Sequence, residues 1–179
     1  MFTKKILLPH QYYYPSLEMI KDRVTAEKRE NFIHYLNEGK KEVLLYIHFP
    51  FCDSHCAFCG FDKRYNFEEI EKYVERLKEE LGFYAQFGYK IQNIHFGGGT
   101  PTLVPGKLLK SIIDFVKENY DCSADMDINI EGSATSIYHD DIIEFIKDCN
   151  ITRTSVGVQT FNKKMREVFQ IQASLDLSL

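Results

Sequence analysis

Residues 46–59 read YIHFPFCDSHCAFC, an apolar run followed by three closely spaced cysteines. The spacing of Cys52, Cys56 and Cys59 is C-x3-C-x2-C, so one short loop can bring three thiols around one small object. Soft thiolates select zinc, copper(I) or an iron–sulfur cluster. The run Val43–Phe49 is continuously apolar, as in a strand that is covered on both faces. The stretch therefore predicts a metal-binding loop at the carboxyl end of a strand.

Two kinds of metal centre fit this loop. Structural zinc takes four ligands, and the sequence lacks a second C-x2-C or H-x3-H pair, although His48 or His55 could complete a zinc site. Three cysteines on an iron–sulfur cluster leave one iron open. An open iron is useful where a ligand binds the cluster directly, because electron-transfer clusters normally have a fourth cysteine. We interpret Cys122 and Cys149 as buried or idle thiols.

After this loop, predicted strands and helices alternate along the sequence. Continuous apolar runs predict the later strands, and a 3.6-residue periodicity predicts a helix after each strand. The predicted strands are Val43–Phe49, Ile91–Phe96, Met126–Glu131 and Thr152–Val158. The clearest helix spans Phe67–Phe87, with Asn66 as its N-cap and Gly88 as its stop. The other helices are predicted at 106–120, at 140–149 and from Asn162 onward.

Four such units with right-handed crossovers give an α/β fold, in which an arc of parallel sheet has its helices outside. The pattern fits either part of a barrel or an open doubly wound sheet. In both arrangements ligands gather at the carboxyl ends of the strands. The unusual residues fall at these ends: the cysteines, then Gly97–Gly99, then Glu131, then Gln159. The sequence therefore predicts one site at one edge of the sheet.

Composition narrows the class of protein. With 179 residues, 44% of them hydrophobic, the chain suits one domain with its own core. A formal net charge of −4 provides no basic surface, so we expect no nucleic-acid partner. No apolar run approaches the roughly 18 residues of a membrane span, so we expect no membrane partner. The apolar patch at the start of the chain is too short for a signal peptide, so we expect a cytoplasmic protein with reduced thiols.

Together these motifs resemble the radical S-adenosylmethionine superfamily, specifically its oxygen-independent coproporphyrinogen III oxidase branch. The resemblance rests on the Tyr-Ile-His-x-Pro-Phe stretch before the cysteines, on FGGGTPT at 96–102, on Asn-Ile-Glu at 129–131 and on RTSVGVQTFN at 153–162. It implies a partial (β/α) barrel of radical SAM type with about four βα units. It also implies that Cys52, Cys56 and Cys59 hold a 4Fe-4S cluster against which S-adenosylmethionine is reductively cleaved to a 5′-deoxyadenosyl radical. The cofactor contacts that it implies are Tyr46, Phe58, Gly97, Gly98, Gly99, Thr100, Glu131 and Gln159.

Each cofactor motif also has a plainer interpretation. The glycines could serve only a tight turn between strand and helix, and no Gly-Lys-Ser/Thr follows to make a phosphate loop. Glu131 could accept the hydroxyls of a ribose or be a solvated residue at a strand end. Tyr46 and Phe58 could cover the cluster or adenine, or could belong to the core.

Within the branch three functions compete. Coproporphyrinogen oxidases typically carry another cysteine where this chain has Phe61. The sequences Cys59-Gly60-Phe61 and Glu131-Gly132 are more similar to heme-utilisation members, which open the porphyrin ring anaerobically by radical methyl transfer. The heme-chaperone lineage binds and delivers heme instead. The resemblance implies a tetrapyrrole substrate and a flavodoxin- or ferredoxin-type electron donor.

We expect three parts in the chain: an N-terminal helical preface at 1–42, the radical SAM core at 43–162 and a divergent tail at 163–179. Members of the branch are usually more than twice as long, and residues 169–179 match no part of the family's pattern. The resemblance therefore predicts an N-terminal fragment or truncated product, which binds cluster and cofactor better than it turns over a substrate.

Overall fold

The computed structural model describes residues 26–171 except 40 and 62, so most of the predicted preface and the end of the predicted tail lie outside the described residues. The described chain falls into two units, which we take separately. The first contains helix α1 (Ala26–Glu38). Its end is closed by Gly39, whose N–H donates to the Tyr35 carbonyl at 2.8 Å.

The second unit contains a parallel sheet whose four described strands lie in the order β1-β2-β3-β4. The strands are β1 (Glu42–Phe49), β2 (Lys90–Gly98), β3 (Asp121–Ser133) and β4 (Arg153–Gly157). Each strand pairs with the next one in sequence, and the order does not reverse as a doubly wound sheet requires. The described sheet is therefore an arc of a (β/α) barrel, and the predicted parallel α/β fold is confirmed.

Helices lie between and after the strands, close to their predicted positions. They are α2 (Ile70–Ala85), α3 (Gly106–Asn119), α4 (Asp140–Asp148) and α5 (Lys163–Val168). The helix predicted from Phe67 begins with a 3-10 turn, Phe67–Glu69, which Asn66 caps by accepting the Glu68 N–H at 3.2 Å. Gly88 has φ of +68°, which suits its predicted role as a stop. Among the described helices, none has the length and apolar character that a membrane crossing requires.

The core fills the space between one face of the sheet and helices α2, α3 and α4. Its fully buried members include Ile47, Phe49, Ile94, Phe96, Leu109, Ile112, Ile130 and Ile142. The other face is open, since Leu44 is 60% exposed and Tyr46 is 46% exposed. The prediction that β1 is covered on both faces is therefore wrong for the described chain. In a barrel this second face lines the interior, where polar side chains can meet a ligand.

Candidate metal and cofactor site at the carboxyl edge of the sheet

Backbone hydrogen bonds connect the two ends of the cysteine loop, directly after β1. The Arg64 N–H donates to the Pro50 carbonyl at 2.8 Å, and the Cys52 N–H donates to the Arg64 carbonyl at 3.1 Å. Phe51 between them is fully buried and meets the Tyr73 ring edge-on, with centroids 5.5 Å apart. Both ends of the loop are thus fixed to the core.

The three predicted ligands lie in this loop as free thiols. Cys52 is buried, whereas Cys56 and Cys59 are half-buried and share a turn in which the Cys59 N–H donates to the Cys56 carbonyl at 3.1 Å. Burial raises the pKa of the Cys56 thiol, the Lys63 ammonium opposes this, and negative charge on Cys52 and Cys59 adds to it.

In the part of the chain that the structure describes, the three thiols do not surround one centre. Among the described residues, no group of three or more His, Cys, Asp and Glu side chains is arranged to hold a metal ion. His55 stacks on Tyr65 with centroids 4.2 Å apart, and His48 hydrogen-bonds with Tyr46, so neither completes a zinc set with the cysteines here. The donor set itself, three cysteines free of disulfides in one loop, fits an iron–sulfur cluster, which would bind them as thiolates.

The other two cysteines lie apart from this loop. Cys149 is buried in the core, and Cys122 packs at its margin. Burial raises the pKa of both thiols, as it does that of Cys56, so it is their position away from the loop that separates them from the three predicted ligands.

The glycine segment after β2 lies directly beside the cysteine loop. The Gly99 N–H donates to the Phe49 carbonyl at 2.7 Å, and the Thr100 N–H donates to the Phe51 carbonyl at 2.8 Å. These bonds bring the Thr100 hydroxyl to 3.4 Å from the Cys52 sulfur. A predicted metal ligand and a predicted cofactor contact thus meet at the edge of the sheet.

The chain's own atoms explain why these positions are glycine. A Cβ at Gly99 would collide with the Phe51 carbonyl oxygen, and Gly98 has φ of +112°, which L side chains rarely adopt. A Cβ at Gly97 would lie 2.7 Å from a ring carbon of Tyr46. The segment is therefore a tight turn in its own right, and its contact with a cofactor stays a prediction.

A polar row crosses the open face of the sheet below the glycines. His95 Nε2 lies 3.1 Å from Glu131 Oε1, and the Tyr46 ring stacks on the His95 ring with centroids 5.6 Å apart. The Tyr46 hydroxyl lies 3.3 Å from His48 Nδ1. Burial lowers the pKa of His48, and the Glu131 charge opposes this. The Glu131 carboxylate is thus held from one side by His95 and is 44% exposed on the other.

Gln159 and Phe58 are both connected to α5 or to the residue that follows it. Gln159 follows β4 with φ of +66°, and Arg166 of α5 donates to the carbonyls on either side of it. Phe58 is 48% exposed and meets the Phe169 ring edge-on, with centroids 5.7 Å apart. Sequence patterns did not single out His95, Arg166 or Phe169. Only His95 carried a signal, since it shares the face of β2 that leads to Gly97.

Comparison with known proteins agrees with this arrangement. The family model described as the radical SAM superfamily matches residues 46–177, which extends past the predicted end of the core at residue 162. The chain is 34% identical to an anaerobilin synthase of Escherichia coli O157:H7 over 69% of its length. It is 30% identical to the oxygen-independent coproporphyrinogen III oxidase of Escherichia coli K12 over 72% of its length. It is 31% identical to the heme chaperone HemW of the same strain over 67% of its length.

The fold has a solved counterpart. The Escherichia coli coproporphyrinogen III oxidase HemN, described as a radical SAM enzyme, superposes with a TM-score of 0.73 at 27% identity, covering 89% of this chain and 40% of that one. The chain spans about a third of the length of the curated relatives it matches, at 29%, 29% and 32% for the three named above.

Proposed function

The chain belongs to the radical SAM superfamily, and on this premise we propose that Cys52, Cys56 and Cys59 hold a 4Fe-4S cluster at which S-adenosylmethionine is reductively cleaved. The observation that carries the proposal is the 3.4 Å contact between the Cys52 sulfur and the Thr100 hydroxyl. This contact joins the loop that offers thiolates to the segment that we assign to the cofactor. A soft metal centre and a sulfonium cofactor have to lie side by side for the reaction, and this edge of the sheet has the donors for both.

The residues of the candidate site have separate roles in binding the cofactor. The Glu131 carboxylate accepts the ribose hydroxyls, and His95 at 3.1 Å keeps that carboxylate aimed at them. Tyr46 and Phe58, each about half-exposed, offer apolar surface to adenine or to the cluster. The segment Gly97–Thr100 receives the methionyl part, and Gln159 contacts the cofactor from the side of β4.

When bound, the cluster would give one electron to S-adenosylmethionine. Cleavage of the sulfonium carbon–sulfur bond would then release methionine and a 5′-deoxyadenosyl radical. The chain contributes coordination and orientation. The hydrogen bonds between Pro50, Cys52 and Arg64 fix where the loop begins and ends, so Cys52, Cys56 and Cys59 would hold the cluster at the carboxyl end of β1. We also propose that a flavodoxin- or ferredoxin-type protein donates the electron to the cluster.

We propose a tetrapyrrole as the substrate, because the relatives named above are a coproporphyrinogen oxidase, an anaerobilin synthase and a heme chaperone. Phe61 stands where the oxidases typically carry a further cysteine, which favours anaerobic heme degradation over coproporphyrinogen III oxidation. Phe61 is 52% exposed and lies beside His48, with ring centroids 6.0 Å apart. Heme delivery without turnover is the alternative function.

Cofactor cleavage tests the proposal. The full chain, reconstituted anaerobically with iron and sulfide and reduced with dithionite, should convert S-adenosylmethionine to 5′-deoxyadenosine, measured by liquid chromatography. Replacing Cys52, Cys56 or Cys59 by Ala should abolish both cluster absorbance and cleavage, because each thiolate occupies one iron. The matched controls C122A and C149A should retain both. An essential Cys122 would show that the ligand set is wrong.

A second experiment separates the tetrapyrrole functions. The reduced chain is incubated with S-adenosylmethionine and either heme or coproporphyrinogen III, and the products are analysed by mass spectrometry. A ring-opened, methylated product supports heme degradation, and a decarboxylated product supports the oxidase reaction. A stable heme adduct without turnover supports the chaperone function.

A further inference from the structure

The backbone at Gln159 has a conformation that needs support. Its φ of +66° lies in the left-handed region, which residues other than glycine rarely adopt. The Thr160 N–H donates to the Val158 carbonyl at 2.8 Å, so Gln159 is the centre of a three-residue turn. A three-residue turn with positive φ at its centre is rare and strained. The surrounding structure therefore has to hold this turn in place.

Arg166 provides that support. Its Nη1 donates to the Val158 carbonyl at 2.8 Å and to the Thr160 carbonyl at 2.9 Å, which are the carbonyls on either side of Gln159. Arg166 is only 8% exposed, and hydrogen bonds from a desolvated guanidinium are stronger than those between neutral groups. One nitrogen atom thus bridges the two ends of the turn.

Helix α5, which carries Arg166, is itself fixed at both ends. The Asn162 side chain caps it by accepting the Met165 N–H at 3.1 Å. Beyond the last turn, the Phe169 carbonyl accepts the Ala57 N–H at 2.9 Å, and the Phe169 ring meets that of Phe58. Because Ala57 lies between the second and third cysteines, α5 holds Arg166 at a set position relative to the thiols.

We propose that Arg166 is a positioning residue for the cofactor site: it clamps the turn at Gln159 so that the Gln159 side chain presents its amide to S-adenosylmethionine beside the cysteine loop. The inference rests on the proposed function, in which Gln159 contacts the cofactor. It adds a residue outside every motif that identified the family. The clamp acts on the conformation of Gln159, which is not one of the proposed cluster ligands.

Affinity for S-adenosylmethionine tests this role in the full chain after cluster reconstitution. Arg166→Met should weaken binding by roughly tenfold in equilibrium dialysis, because two hydrogen bonds from a charged group are lost. Iron content and cluster absorbance should stay unchanged. Lys164→Met removes an exposed cation from the same helix and should leave the affinity unchanged. Arg166→Lys, which keeps a charged donor, should recover part of the loss.

A double-mutant comparison distinguishes positioning from general support. Gln159→Gly accepts positive φ without strain and removes the side chain, so adding Arg166→Met to it should cause no further loss of affinity. An equal loss in both backgrounds, or no loss from Arg166→Met alone, would overturn the inference. Unchanged affinity in Gln159→Gly would instead overturn the cofactor role of Gln159, and the inference with it. If Arg166→Met does not fold, Arg166→Lys and Arg166→Gln enter the same comparison with the same outcomes.

Discussion

Glu131 is the side chain on which the proposed cofactor contacts most depend. It lies on the open face of β3, and His95 at 3.1 Å restrains it while its other side stays available. A carboxylate held in this way can accept two hydroxyl groups at once, and its charge strengthens both bonds. A solvated residue at a strand end would have no such restraint.

Glu131→Gln should therefore weaken S-adenosylmethionine binding by roughly 1 to 3 kcal/mol, because the amide keeps the shape of the side chain but loses its charge. Isothermal titration calorimetry on the reconstituted chain measures the loss, and the iron content should not change. Glu144→Gln, an exposed position on α4, is the matched control. Equal affinities for wild type and Glu131→Gln would reduce Glu131 to a solvated residue.

At the scale of elements, the apolar runs predicted the strands well because each contributes to the core with its own side chains. Ile47, Ile94 and Ile130 are almost fully buried between sheet and helices. The start of β3 was predicted five residues late, at Met126 instead of Asp121, because Asp121 and Cys122 are strand residues only through pairing with Lys90 and Ile91 of β2. Pairing with a distant strand leaves no pattern in the local sequence from which it could be predicted.

The candidate site, like the strands, was predictable from the sequence only in part. That Cys52 and Thr100 lie near each other was predictable, because parallel strands end at one edge of a sheet. The His95–Glu131 contact joins residues 36 apart in the chain, and the clamp by Arg166 depends on where α5 docks. Side-chain geometry of this kind follows from packing, which periodicity does not encode.

Tyr120, at the junction of α3 and β3, offers a test of how the helical layer is held together. Its hydroxyl donates to the Leu81 carbonyl of α2 at 2.5 Å, and burial, with Tyr84 and Tyr89 nearby, raises its pKa from 10.0 to about 12. Tyr120→Phe should cost about 1 kcal/mol of unfolding free energy at pH 8, because a hydrogen bond is lost. Urea unfolding measures this cost.

The same variant should change the alkaline stability. Between pH 10 and about 12 the unfolded Tyr120 ionises while the folded one stays protonated, so the stability of the wild type falls as pH rises. Tyr120→Phe lacks this contribution, and the difference in stability between the two proteins should shrink with pH over this window. A constant difference would mean that the native environment does not disfavour the ionised tyrosine.

At the scale of the whole molecule, the described sheet has two edges, β1 and β4. Val156 on β4 is 42% exposed, and Phe161 and Val168 beyond it are 68% and 60% exposed. Exposed strand edges with apolar side chains pair readily with other chains. This region therefore favours contact between copies of the chain in solution.

The chain should accordingly self-associate at micromolar concentration in sedimentation velocity, and Val156→Lys should reduce that association by placing a charge at the edge. Tyr35→Lys, which changes an exposed residue of α1, should leave it unaltered. A chain that stays monomeric over the concentration range, or one whose association ignores Val156→Lys, would show that the β4 edge is not the contact.

We propose that Cys52, Cys56 and Cys59 hold a 4Fe-4S cluster with one iron open to S-adenosylmethionine. Electron paramagnetic resonance of the reduced, reconstituted chain is the sharpest test of this proposal. We expect about four irons per chain and a cluster signal that changes shape when S-adenosylmethionine is added, because the cofactor would bind the open iron. A signal that the cofactor leaves unchanged, or tight stoichiometric zinc in place of a cluster, would show that the three cysteines do not hold such a cluster.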